Sequence, residues 1–283
     1  METELKDEIV YSIIVVCLNA GKRLRDTVES IIAQNYNGYE IIVKDGGSTD
    51  QSVERLRKCF ASDKIKITVQ KDAGIYDAMN QAVQLARGEY FLFLNAGDSF
   101  YDATVLEKIT DEIKKLRSDN KKADIVYGNM YHKALQTVIF AAPSINEFVC
   151  YRNVPCHQTC FYHRSLFAVR GYDLKYNVRA DYEHFLWCYY KQQASCCYVP
   201  VLVASYEGGG YSETKENKKR SRYQHREIVV HYMGRKKANQ YRMIMFLTLA
   251  PLRSAIAQSK HLSKVYNALK TVIYTMKNRK GKG

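Results

Sequence analysis

The chain has 283 residues, of which 46% are hydrophobic and only 15 are Gly and 4 Pro, which excludes a fibrous or wholly disordered protein and leaves ample material for a core. Its formal net charge of +14 is unevenly placed: from Lys215 onward there are 18 Lys/Arg against 2 Asp/Glu, and before that 25 against 27. A nearly neutral body therefore precedes a strongly basic segment, which asks for an anionic partner, either nucleic acid or the surface of an anionic membrane.

The elements read as follows. A strand is expected over about residues 10–18. Its apolar run follows the acidic METELKDE and is not trailed by a small-residue cleavage site, so it reads as core rather than as a leader. A helix follows at about 21–34, opened by Asn19-Ala20-Gly21, and then a strand at about 39–44 that passes through DGGSTD (45–50) into a helix at about 51–60. The third unit is a strand at 65–70 and a helix at about 75–87, in which Ile75, Met79, Ala82 and Ala86 recur at helical spacing and Gly88 offers a left-handed stop. The strand EYFLFL (89–94) then runs into Asn95, Ala96, Gly97 and Asp98. Strand–helix alternation of this kind implies right-handed crossovers and a mostly parallel sheet covered by helices on both faces.

Beyond residue 100 the pattern loosens. A helix at about 102–117, a strand at 123–128, a hairpin-like pair between 128 and 141 and a helix near 144–150 precede an irregular stretch, 151–180, broken by a short helix at 164–169. A helix then runs from near Asp181 to near Lys191, followed by a strand at 196–206. The last seventy residues read as helical. Leu262, Val265, Tyr266, Leu269, Val272, Ile273 and Met276 form one apolar stripe with lysines mainly off it, a shape suited to a membrane interface or to a helix packed on the body with its lysines in solvent, while 243–252 is apolar but too short to span. The expected division is an α/β domain over 1–212 and a basic helical extension over 213–283. Eight cysteines without a framework spacing fit reduced thiols and a cytoplasmic protein. Cys156 and Cys160 beside His157 lack the second pair that a zinc site needs.

Ligands of an open parallel sheet bind outside the carboxyl ends of its strands. Asn19 follows the first strand, Asp45 the second, KDAGIYDAMN (71–80) the third and Asp98 the fourth. Each alone reads as a turn or a helix cap; their succession at strand ends points to a site. No GxGxxG follows the first strand and no GxxxxGK[ST] occurs, so neither glycine-rich phosphate cradle is present. Carboxylates holding Mg²⁺ or Mn²⁺ are the other common way to neutralise a diphosphate.

DGGSTD, DAGIYDAMN, LNAGD and HQTCFY…RADYE, in that order, resemble the inverting glycosyltransferases of family 2, which have the GT-A fold, a Rossmann-like sheet flanked by helices. Within that family the resemblance is nearest to the bacterial colanic-acid and O-antigen branch, and it covers about residues 9–206 and not the basic tail. It implies that Asp45, with Asn19 and Ala20, holds the nucleoside of a UDP-sugar. Asp72, Gly74, Asp77 and Asn80 would border the donor. LNAGD would stand in for the metal-binding DxD, with Asp98 on Mg²⁺ or Mn²⁺ and Asn95 assisting. Asp181 would be the base that removes the acceptor hydroxyl proton, and His157 and Gln158 would line the acceptor pocket or touch the diphosphate. The sequence departs from the family pattern at Gly46, where a second Asp is common, and in having one acid in LNAGD.

The resemblance thus implies a metal-dependent hexosyltransferase. It would act at the inner face of the cell membrane on a glycan carried by a polyprenyl diphosphate. The tail's own composition, which the resemblance does not cover, sets the C-terminal helices on the anionic surface, with no nucleic acid as partner. The rivals are a nucleic-acid-binding protein that uses its basic tail and a nucleotidyltransferase acting on sugar phosphates, which would want a glycine-rich basic signature near the first strand that this chain lacks.

Overall fold

The first strand, YSIIVVC, has no polar face because it has no exposed one. In a computed structural model that describes residues 10–208, 210 and 214–248, β1 (Tyr11–Cys17) is buried at all seven positions. It pairs in parallel with β2 (Tyr39–Asp45) on one side and β4 (Tyr90–Phe93) on the other. A strand with neighbours at both edges and helices over both faces must be apolar throughout. Helices α1 (Lys22–Ile32) and α2 (Ser52–Cys59) connect β1, β2 and β3 (Ile65–Val69), and α3 (Ile75–Val83) carries the chain back to β4. Helix α3 stops short of the expected residue 87 because the chain must then drop onto the start of β1. There a Cβ on Gly88 would lie 2.5 Å from the Ser12 amide nitrogen.

The sheet order is β3-β2-β1-β4-β8-β6-β9-β5. Chain growth outward from β1 to β3, and then across to β4, places the topological switch between β1 and β4. The second half is mixed. After β5 (Ser99–Phe100) and α4 (Val105–Ser118), β6 (Ile125–His132) forms the expected hairpin with β7 (Thr137–Ile139). Helix α5 (Glu147–Arg152) and a 3-10 turn (His157–Thr159) lead into β8 (Cys160–His163), which runs antiparallel to both β4 and β6. Helices α6 (Arg164–Val169) and α7 (Ala180–Tyr190) precede β9 (Cys196–Tyr206), parallel to β6 and antiparallel to β5. So β1, β2, β4, β6 and β9 all end at one rim, and β8 begins there.

Helix α8 (Lys215–Leu247) bends at Gly234, whose φ of 78° breaks the helical backbone. It packs on α5 and α7 through buried Ile228, Val229 and Ala238. Gln224 joins it to the loop before α7, accepting from the Val178 amide at 3.1 Å and donating to Asn177 Oδ1 at 2.8 Å. The first thirty or so residues of the basic segment are therefore part of the folded body. The apolar stripe from Leu262 to Met276 lies outside the described residues.

The core under α7 contains His184, fully buried and stacked on Phe167 with ring centroids 4.3 Å apart. Burial, reinforced by the charge of Arg170, holds its pKa down at about 3 against an ordinary 6.5. The unfolded chain therefore takes up a proton below pH 6.5 that the folded chain refuses until about pH 3. Stability from this group is intact above pH 6.5 and falls as pH drops through that window, by at most about 1.4 kcal/mol per pH unit. We expect His184→Leu to flatten the acid limb of a urea-unfolding series between pH 7.5 and 4.5; parallel limbs for variant and wild type would refute this.

Candidate active site

At the end of β2, Asp45 turns back on its own loop. Its Oδ2 accepts from the amides of Gly47 at 3.0 Å and Ser48 at 2.7 Å, while its Oδ1 accepts from the Ser48 hydroxyl and, at 3.4 Å, from the Cys17 thiol. Burial alone would raise the pKa of Asp45, but the Ser48 and Gly47 donors outweigh it and hold the group below the usual range. DGGSTD is thus a rigid anionic loop. Asn19, at φ 49°, staples it to the end of β1: its Oδ1 accepts from the Thr49 amide at 2.9 Å, and its own amide donates to Ser48 Oγ at 2.7 Å. Ala20 is buried beneath this junction.

Asp72 comes to the same place from the end of β3, brought by Lys44. This lysine has no exposed surface, and its Nζ donates to the carbonyls of Asp45 at 3.1 Å and Gln70 at 2.5 Å and to Asp72 Oδ2 at 3.2 Å. The ion pair fixes Asp72 against the backbone of Gly46, where a Cβ would stand 2.7 Å from Asp72 Oδ2. The glycine that departs from the family pattern thus leaves room for the neighbouring acid in the place where Lys44 holds it. Gly74 opens α3 at φ 131°, open only to glycine without strain. Asp77 accepts from the Ala73 amide at 2.8 Å and from Gln81 at 3.0 Å. Asn80 exchanges both its amide groups with the backbone of Tyr172, at 2.9 and 2.7 Å, and so anchors the loop before α7.

The LNAGD segment lies where β4 gives out. Asp98 is 6% exposed, and burial raises its pKa although Gln158 Nε2 donates to its Oδ2 at 3.1 Å. Asn95 Nδ2 donates to His157 Nε2 at 3.2 Å. That bond makes Nε2 an acceptor, so the hydrogen sits on Nδ1 and is donated to Asp181 Oδ2 at 3.0 Å. The other Asp181 oxygen faces the Tyr76 hydroxyl at 2.8 Å. Burial opposes ionisation of Asp181, but the bond from His157, with Tyr76 and Arg179, holds its pKa below the ordinary carboxylate range. Glu183, two residues on, is committed elsewhere: Arg170 Nη2 spans its two oxygens at 2.8 and 2.7 Å and the Tyr232 hydroxyl donates to one of them.

The residues that β4, the 3-10 turn, α3 and α7 deliver to the rim therefore form one path, Tyr76–Asp181–His157–Asn95, beside the pair Gln158–Asp98. Two oxygens in it have spare capacity. Asn95 Oδ1 is buried without a hydrogen-bond partner, and Asp98 offers a buried carboxylate. A further acid, Glu207 just after β9, leans over the loop, its Oε2 3.1 Å from where a Cβ on Gly97 would stand. Among the described residues no three of His, Cys, Asp and Glu gather as a metal cluster, so a hard divalent cation here would take Asp98 and Asn95 Oδ1 and draw most of its ligands from water and phosphate. Beside the path opens a cleft of about 350 Å³ lined by His157, Gln158, Arg179, Asp181, Tyr206 and, from α8, Lys218 and Ser221 among others.

The family model described as Glycosyl transferase family 2 matches residues 12–170. The chain belongs to that family. It is a glycosyltransferase of GT-A architecture. It is 35% identical over 210 residues to the PGL/p-HBAD biosynthesis glycosyltransferase Rv2957 of Mycobacterium tuberculosis (strain ATCC 25618 / H37Rv), covering 72% of this chain and 80% of that one. Among solved structures, S. aureus TarS 1-349 in complex with UDP-GlcNAc is similar at TM-score 0.61 and 18% identity, over 82% of this chain and 70% of that one. The mannosyltransferase PcManGT from Pyrobaculum calidifontis, in complex with GDP-Man and Mn²⁺, is similar at TM-score 0.61 and 14% identity, over 93% and 86%. Of the longer S. aureus TarS chain, this glycosyltransferase spans 39%.

Reading the sequence of this glycosyltransferase did not single out Lys44, Tyr76 or Glu207. Lys44 left one usable signal, a cation between residues that must both be buried if β2 is interior. The Gly46 contact gives a direct test. If Asp72 borders the nucleotide, Gly46→Ala should displace it and weaken UDP binding by about tenfold, the size of one lost charge-assisted contact. It should also lower the melting temperature, because buried Lys44 loses its carboxylate. Unaltered UDP affinity by calorimetry would show that Asp72 does not report on the nucleotide.

Proposed function

We propose that this glycosyltransferase moves a sugar from a UDP-sugar to a hydroxyl of a lipid-linked glycan, with inversion at the anomeric carbon. The reading rests chiefly on one observation: Asp181 is joined through His157 and Asn95 to the loop that carries Asp98. Asp45 and Asp72 bound the nucleoside side of the rim, and the cleft beside Asp181 receives the acceptor.

In such a transfer the acceptor oxygen attacks from the side opposite the leaving diphosphate, and it must lose its proton as it does so. Asp181 is ionised across the neutral range and takes that proton. His157, donating through Nδ1, and Tyr76 hold the carboxylate in one orientation while leaving it lone pairs that face the cleft. Asp98, with Asn95 Oδ1 and with Glu207 close by, would hold Mg²⁺ or Mn²⁺. A cation bound there supplies positive charge for the diphosphate of the departing nucleotide. The acceptor we favour is a glycan on a polyprenyl diphosphate, built for a bacterial surface polysaccharide of the O-antigen or colanic-acid kind.

Two features support action at the cytoplasmic face of an anionic membrane. The end of α8 exposes Met243, Phe246 and Leu247 beside Arg242, and residues 249–283 carry 8 Lys/Arg and no acid. Among the described residues no helix is long and apolar enough to cross a membrane.

Asp181→Asn should retain UDP binding and lose turnover by at least about 100-fold, whereas Asp98→Ala should abolish the gain in UDP affinity that Mn²⁺ confers. Near wild-type turnover in Asp181→Asn, or UDP binding indifferent to EDTA in the wild type, would overturn these assignments. Deleting residues 249–283 should sharply reduce co-sedimentation with phosphatidylglycerol-containing vesicles and leave binding to pure phosphatidylcholine low in both forms. Undiminished sedimentation would remove the membrane role of that segment.

A further inference from the structure

We propose that Arg179, Lys218 and Ser221 form an anion site in the cleft, which takes a phosphate carried by the acceptor. This rests on the reading above that Asp181 faces the acceptor, and it narrows the acceptor to a phosphorylated one.

Arg179 stands two residues before Asp181, at the start of α7. Its Nε donates to Ser221 Oγ at 2.8 Å, and its guanidinium carbon lies 5.4 Å from the centre of the Tyr182 ring. Those contacts hold the side chain still while using one of its five N–H donors. Ser221 spends only an acceptor in that bond, and its own hydroxyl hydrogen is available. Lys218 lies three residues earlier on α8, on the same helical face, and lines the cleft with Ser221. Guanidinium and hydroxyl thus meet on one wall of the cleft, which Lys218 also lines.

Four nearby cations are held by acids, whereas Arg179 and Lys218, like Lys219 and Arg222 on the exposed side of α8, are not; what sets Arg179 and Lys218 apart is that they line the cleft. Arg170 is held by Glu183, Lys175 by Glu227, Arg220 by Glu216 and Lys237 by Glu147. Among the described residues neither Arg179 nor Lys218 has a carboxylate within ion-pair distance. A cleft made for an uncharged saccharide needs hydroxyls and amides, and one cation would already balance Asp181, so the second is in excess. A phosphate, with a planar guanidinium on one side and an ammonium on the other, uses both.

The donor's phosphates have another place. Asp98, Asp72 and Asp45, around which we set the nucleotide, do not line this cleft. Among the described residues the one carboxylate that lines it, Asp181, has both oxygens engaged by Tyr76 and His157 and lies beside Arg179, so the repulsion it offers an incoming anion is offset locally. The class of acceptor that fits is a sugar bearing phosphate near the hydroxyl to be glycosylated, as the first sugar of a lipid-diphosphate-linked glycan does.

The test uses the full chain saturated with UDP and Mg²⁺, titrated calorimetrically with glucose 1-phosphate and, as the uncharged control, methyl glucoside. The wild type should bind the phosphate and not the glycoside. Arg179→Gln and Lys218→Gln should each weaken phosphate binding by about tenfold while UDP affinity stays within about twofold. Lys218 is exposed on its helix, so its variant tests the idea even if Arg179→Gln disturbs the packing on Tyr182. Equal binding of the two probes, or unchanged phosphate binding in Lys218→Gln, overturns the proposal and leaves the transferase reading standing. UDP affinity that falls in step with phosphate affinity gives the pair to the donor and also overturns it. Absence of UDP binding by the wild type removes the UDP-sugar reading and this inference with it.

Discussion

The molecule depends on the parallel pairing of β1 with β2 and β4. The pairing sets Cys17 opposite Asp45 and Ile14 opposite Phe93, so two acidic loops emerge at the same height on either side of the switch in strand order. A one-residue slip would exchange the two faces of β1, sending Ile14 and Val16 into the cluster built around Tyr11, Ile13 and Val15, and burial at every position leaves no room for the exchange. Everything functional inherits its position from that register. The loop after β2 closes on Asn19 after β1, and the loop after β4 reaches the same rim.

The rim concentrates negative charge that the fold must tolerate before any ligand arrives. It does so with buried donors rather than with solvent. Asp45 is satisfied by its own loop, Asp72 by Lys44, Asp98 by Gln158 and Asp181 by His157 and Tyr76. Removing one member of such a network leaves a desolvated charge behind, which costs more than the lost bond itself. The same bonds keep each carboxylate in one orientation, so the arrangement that makes the acids bearable also aims them.

The parallel half of the sheet was legible because its cues are local: apolar runs, helical spacing, and turn residues at successive strand ends. The acids Asp45, Asp72, Asp98 and Asp181 were legible for the same reason, each marking the end of one element or the start of another. The links between them were not. His157 reaches Asn95 across 62 residues and Gln158 reaches Asp98 across 60. Both contacts exist only because β8 enters the sheet against the direction of β4, a pairing that no spacing announces. Lys44 was hidden for a different cause. A lysine near a strand end ordinarily reaches water, and here a neighbouring acid and two carbonyls take the place of that water. The contribution of α8 to the cleft was equally hidden, since the basic composition drew attention to the segment's charge and away from its packed face.

The bond between Ser221 and Arg179 bears on how proteins of this architecture can be recombined. A chimaera joined near residue 212, where composition changes, would take one wall of the cleft from a foreign parent and leave Arg179 without its brace. Joining after Leu247 keeps the wall with the body that positions it, so that only the segment beyond is exchanged. Attempts to redirect acceptor choice by grafting tails would then fail or succeed according to which side of α8 the seam falls.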